Sequence, residues 1–156
     1  MDEKKLLKYA VDYLSKYDSS KINLVNILKR KILRLQTTNY EKRKLINLIE
    51  SIIIKLEKNK FIDDDRYSST KILSLSNSGK SKNFIFNYLI KKGVNKSQIQ
   101  NNLNLIEQNN DNWELNSARI FAKKKKLLEK DQSYEKNLAK MARAGFSYDI
   151  CKKILG

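Results

Sequence analysis

Leu89-Ile90-Lys91-Lys92-Gly93-Val94 and Met141-Ala142-Arg143-Ala144-Gly145-Phe146 have the same shape: the end of a basic amphipathic helix, a glycine, then an apolar residue. Glycine in that place suits the left-handed residue that closes a helix, and the apolar residue after it packs back on the last turn. The two glycines lie 52 residues apart. A degenerate third copy is Leu28-Lys29-Arg30-Lys31-Ile32-Leu33, in which Ile32 stands where the glycine would be. Each copy falls in the middle of a helix–helix–helix group. The pattern predicts an all-α fold of about three tandem three-helix repeat units, each too small to bury its faces alone, so that neighbours stack. The units are expected at 1–61, 62–109 and 110–156.

Periodicity outside the repeated stretch agrees. Apolar residues at Leu6, Leu7, Ala10, Val11, Tyr13, Leu14 and Tyr17 are spaced by threes and fours and mark one helical face. Ser20 is placed to cap a second helix carrying Leu24, Ile27, Leu28 and Ile32. A third helix begins near Tyr40 and presents Leu45, Leu48, Ile49, Ile52, Ile53 and Leu56 inward, with Asn59 as its left-handed terminator. Asp63-Asp64-Asp65 then opens a fourth helix. Carboxylates there accept free backbone N–H groups and oppose the positive end of the dipole. Coordination of Mg²⁺ by the three is the less favoured reading.

The segment 76–82 is a loop, followed by a fifth helix from Lys82 with Phe84, Ile85, Tyr88 and Leu89 inward. A sixth helix opens at Asn95 or Ser97 and a seventh at Trp113, the latter with Leu115, Ala118, Phe121, Ala122 and Leu128 on its inner face. Ser133 caps an eighth, and a short last helix holds Ile150, Cys151, Ile154 and Leu155.

Composition narrows the function classes. The chain has 156 residues, no proline and only 4 glycines, too few turn formers for an all-β fold. It has no histidine and one cysteine, so neither an internal disulfide nor a zinc site of the Cys/His kind is available. Cytoplasmic residence, no signal peptide and no membrane span are expected, since Leu45 to Leu56 is broken by Asn47, Glu50, Ser51 and Lys55. Lys and Arg number 33 against 17 acids, a formal net charge of +16. A surface so basic attracts polyanions and releases counterions on binding them.

Motifs for catalysis are weak. Gly79-Lys80-Ser81 lacks the glycine a phosphate loop needs five residues earlier, where Ser74 stands, and no strand precedes it. Cys151 sits in an apolar helical register, as a core residue does. No cofactor or metal is expected. A carboxylate–Mg²⁺ nuclease would need acids brought together from distant segments. Helix-turn-helix reading by the helix after Gly93 is disfavoured because the same layout recurs at the C-terminus with a helix too short to read a groove.

The stretch Phe61-Ile62-Asp63-Asp64-Asp65-Arg66-Tyr67-Ser68 resembles the aromatic–aliphatic–Asp-Asp-x-basic-aromatic-small signature of the RecX family of bacterial recombination regulators. Gly79-Lys80, then Leu89-x-x-Lys92-Gly93-Val94, Ala118 to Lys125, and Ala142-Arg143-Ala144-Gly145-Phe146-Ser147-Tyr148 follow in the family's order, so the resemblance covers nearly the whole chain. It implies an elongated array of three-helix units lying in the helical groove of RecA filaments. It also implies a non-enzymatic regulator that modulates, usually by inhibition, RecA's ATPase, strand exchange and co-protease activities in DNA repair and the SOS response. Ile32 departs from the pattern in the first unit.

Candidate contact residues are the clustered cations. Lys123-Lys124-Lys125-Lys126 is the densest run; Lys123, Lys124 and Lys126 are expected to be exposed and Lys125 to lie along the inner helix edge. Lys80, Lys82, Lys91 and Lys92, with Arg66 and Lys71, form a second group, which Arg119 and Arg143 extend. These would contact phosphates or acidic side chains without reading sequence. The expected partners are a RecA filament and single- or double-stranded DNA by charge, with the protein a monomer. A general sequence-independent DNA-binding protein is the alternative. Tyr67, Tyr88, Trp113, Phe121 and Phe146 sit at core-like positions, which favours packing over base stacking.

Overall fold

The structure is a computed structural model that describes residues 1–129 and 133–156. Among the described residues it is all helical: α1 (Glu3–Lys16), α2 (Lys21–Leu33), α3 (Asn39–Lys58), α4 (Asp64–Asn77), α5 (Lys82–Lys91), α6 (Lys96–Asn109), α7 (Trp113–Lys124), α8 (Tyr134–Arg143) and α9 (Tyr148–Leu155). Polar N-caps set the starts. Asp2, Ser20, Thr38, Ser133 and Ser147 each accept from the backbone N–H three residues on, which satisfies one of the four donors every helix start leaves free.

Several helix ends are set by left-handed residues. Gly79 and Gly145 close α4 and α8 with paired backbone bonds, the residue after each glycine donating to Leu75 and Met141 respectively. Two further ends use lysine in the same conformation. Lys60, not Asn59, is the left-handed residue after α3, at φ 60°. Asn59 stays at φ −89° and its side-chain amide donates to the Lys55 carbonyl instead. Lys126, at φ 58°, reverses the chain after α7, and Leu127 N–H then donates to the Ala122 carbonyl at 2.8 Å.

The described chain falls into two compact units. The first comprises Met1–Tyr67 with Lys92–Val94; the second comprises Ser68–Lys91 with Asn95–Gly156. In the first, Leu6, Ala10, Leu24, Leu28, Ile32, Leu45, Ile49, Ile52, Leu56 and Ile62 form one core. Their spacing of three, four and seven within each helix is the sequence periodicity made physical. Ile32, which replaces the repeat's glycine, is fully buried there. In the second, α5 packs on α6, and α7, α8 and α9 pack on one another around Ala118, Ala122, Leu127, Met141, Phe146 and Cys151.

Each unit contains one copy of the same joint. In the first, Ser20 caps α2 by accepting from Asn23 N–H and donates its own proton to the Lys92 carbonyl, just before Gly93. Asp64 Oδ1 accepts from Lys21 N–H at 2.8 Å. In the second, Ser81 accepts from Phe84 N–H at 3.1 Å and donates to the Ala144 carbonyl at 2.7 Å, just before Gly145, while Glu114 Oε2 accepts from Lys82 N–H at 2.8 Å. A serine, a carboxylate from the start of a later helix and a glycine turn thus converge twice on a helix N-terminus. The glycines are required. Gly93 (φ +80°) and Gly145 (φ +96°) are left-handed, and an added Cβ would lie 2.6 Å from Ile22 Cβ or 2.5 Å from Ser81 Oγ.

Asp64 is buried and Glu114 half-buried, and burial raises both pKa values above the ordinary ones despite the N–H donors and Lys21 or Lys82 close by. The triple Asp therefore divides its work. Asp63 caps α4, accepting from Asp65 and Arg66 N–H groups at 2.9 and 3.1 Å, whereas Asp64 turns away to α2.

Candidate nucleic-acid interface

α5 positions a mixed polar and aromatic set of candidate binding side chains in the second unit. Ile85 and Leu89 are fully buried and fix the helix's inner face. That rotation places Asn83, Asn87 and Lys91, four residues apart, in one exposed row. The next row starts with Lys80 and continues with Phe84 and Tyr88. Phe84 is 40% exposed, which corrects the expectation that it faces inward; Tyr88 is half-buried. The two rings are close to parallel, 21° apart with centroids 6.4 Å apart, and the Lys80 ammonium sits 4.7 Å from the Phe84 centroid.

Arg143, at the end of α8, and the Ala144-Gly145 backbone form the opposite wall of a groove of about 270 Å³ over these rows. The second joint holds that wall in place, through the Ser81 bond to Ala144. Lys80 is itself anchored, its carbonyl accepting from Ser117 Oγ on α7 at 2.5 Å. Among the described residues no carboxylate lines the groove.

The remaining candidate cations lie outside the lining of this groove. Lys82 is committed to an ion pair, its ammonium 2.7 Å from Glu107 Oε1. Arg119, Lys123, Lys124 and Lys126 are exposed on and after α7, where Lys124 donates to the Ser78 carbonyl at 3.1 Å and Arg119 to Asn116 at 3.0 Å. Lys125 is exposed as well, not on an inner edge, because α7 ends at Lys124. Lys71 is half-buried. Arg66 and Lys92 belong to the first unit; Arg66 donates to the Lys60 carbonyl at 3.3 Å, and Lys92 supplies the carbonyl of the first joint. The structure thus brings Lys80, Lys91 and Arg143 together about α5. Asn83, Phe84 and Asn87 were not read as site residues in the sequence; the signal was the pair of rows offset from Ile85 and Leu89.

Reactive chemistry is sparse. Cys151 is fully buried, its thiol 3.7 Å from the Phe146 carbonyl, and burial raises its pKa. Among the described residues no group of three acidic or sulfur side chains is placed to hold a metal, and no helix is long and apolar enough to cross a membrane.

An all-helical fold among the described residues, a joint repeated in both units and exposed cations place the chain in the class of basic helical-repeat proteins. The regulatory protein RecX of Myxococcus xanthus (strain DK1622) is 30% identical to it over 154 residues, covering 94% of this chain and 81% of that one. The chain belongs to the RecX family. The fold agrees. A crystal structure of RecX from Lactobacillus salivarius superposes with a TM-score of 0.71 at 22% identity, over 98% of this chain and 94% of that one. A second crystal structure of a regulatory protein RecX gives 0.71 at 22% identity, over 97% and 70%. A family model described as Mad3/BUB1 homology region 2 matches residues 61–136, just under half of the chain; it omits α1–α3 and α9.

Proposed function

We propose that this chain is a RecX-type modulator of RecA that acts by binding and not by catalysis. The observation that carries the reading is the near-full-length relationship to a regulatory protein RecX. A net charge of +16 supports it, since a RecA filament on DNA presents both phosphates and acidic side chains to a basic partner. In this reading the three-helix groups 1–61, 62–109 and 110–156 bind along the filament's helical groove in the cytoplasm, and the protein is a monomer. Lys71, Lys80, Lys82, Lys91, Arg119, Lys123, Lys124, Lys126 and Arg143 contact the filament from the second unit, and Arg66 and Lys92 from the first, with Lys82 contributing less because Glu107 neutralises it. Occupancy of the groove inhibits ATP turnover, strand exchange and co-protease activity by obstructing other occupants.

Co-sedimentation with RecA filaments assembled on single-stranded DNA tests it. The protein should pellet with filaments more completely than with an equal mass of the bare strand. Equal partition between filament and bare strand would leave a general DNA-binding protein in its place.

A further inference from the structure

From the α5 groove we infer a site for an unpaired nucleobase and its phosphate, so that the protein binds single-stranded nucleic acid by stacking as well as by charge. Phe84 is a large aromatic left exposed on a helix whose neighbours Ile85 and Leu89 are fully buried. Stacking on an exposed aromatic gives sequence-tolerant affinity for single strands because every base has a π-face. Tyr88, half-buried and nearly parallel to Phe84 with centroids 6.4 Å apart, packs beside that ring.

The surroundings supply the rest of a nucleotide's needs. Asn83 and Asn87 line the groove with amide donors and acceptors for a base edge, and Lys91 and Arg143 line it as phosphate partners with no carboxylate among the described lining residues to oppose them. Lys80 rests over the Phe84 ring in the free protein. A cation over an exposed ring is held more weakly than a stacked base, so an arriving base displaces the ammonium, and its flexible stem lets it pair with the adjacent phosphate. Paired bases of a duplex present no free face, so the site selects single strands. Charge alone would make no such distinction.

The test uses the full chain without RecA, so its outcome is independent of the filament reading. Fluorescence anisotropy compares three labelled probes at one salt concentration: a short oligothymidine, an abasic deoxyribose-phosphate strand of the same length, and a duplex. Oligothymidine should bind about tenfold more tightly than the abasic strand, as expected for one stacked base. Phe84→Ala should remove that difference while leaving abasic affinity unchanged. Phe84→Trp should preserve it. Lys91→Gln and Arg143→Gln should weaken both strands alike. Trp113 fluorescence confirms that each variant is folded. Equal affinity for oligothymidine and the abasic strand, or a difference that survives Phe84→Ala, would overturn the inference.

Discussion

Gly145→Ala probes the second joint and has a magnitude the geometry sets. The left-handed φ of +96° costs an alanine about 1–2 kcal/mol. The added Cβ would also lie 2.5 Å from Ser81 Oγ. Ser81 is fully buried, and its hydroxyl is held by the Ala144 carbonyl at 2.7 Å and by Phe84 N–H at 3.1 Å. Relief by rotating that hydroxyl away forfeits a helix cap and a buried bond, each worth about 1 kcal/mol, so the clash adds about 2 kcal/mol. Gly145→Ala should therefore destabilise by about 3–4 kcal/mol. Ser81→Ala alone forfeits the same two bonds, about 2 kcal/mol, but removes the obstacle. The double variant should then lose about 3–4 kcal/mol, not the roughly 5–6 kcal/mol of an additive pair. Urea unfolding followed by Trp113 makes the measurement: it is the chain's one tryptophan, it is buried, and it lies in the same unit as the joint. Full additivity would refute the reasoning, because it would mean that the serine hydroxyl does not abut the glycine.

Lys60→Gly should stabilise the first unit by about 1 kcal/mol in urea, since it relieves a left-handed lysine at φ 60°. Asp64→Asn keeps the acceptor for Lys21 N–H but removes a charge that burial disfavours. Because the folded pKa of Asp64 lies above its ordinary 3.8, wild type should gain stability on the non-titrating variant as pH falls through the raised value, with the gain complete below 3.8; a melting-temperature difference that stays constant from neutral pH to below 3.8 would contradict this. Lys91→Gln and Arg143→Gln should each flatten the plot of log affinity for single-stranded DNA against log salt by about 0.7, the amount per lost phosphate contact, as titration at several salt concentrations will show.

The helical framework was legible because its determinants are local. Ser20 and Ser133 cap the helices they precede, and the spacing of Leu24, Leu28 and Ile32 fixed a buried face before any tertiary contact was known. What escaped depends on distance or on phase. Asp64 resembles its neighbour Asp63 in every local respect, yet it serves a helix 43 residues earlier in the chain. Leu128 continued the α7 pattern on paper, but the left-handed Lys126 resets the phase, so Leu127 is buried and Leu128 lies exposed. Phe84 belongs to the same apolar arc as Ile85, and a period of 3.6 cannot say which edge of a broad arc meets solvent. That edge holds the α5 groove, which is why the site was less legible than the fold. The cations were visible from the start. Which of them stand free and which are tied to Glu107, Ser78 or Asn116 was decided by packing.

The most direct test of the account is RecA's ATPase on single-stranded DNA, titrated with this protein at fixed salt. Inhibition at protein concentrations below that of RecA, accompanied by weaker binding to the bare strand than to the filament, is the predicted result. Unchanged turnover at stoichiometric excess would contradict it.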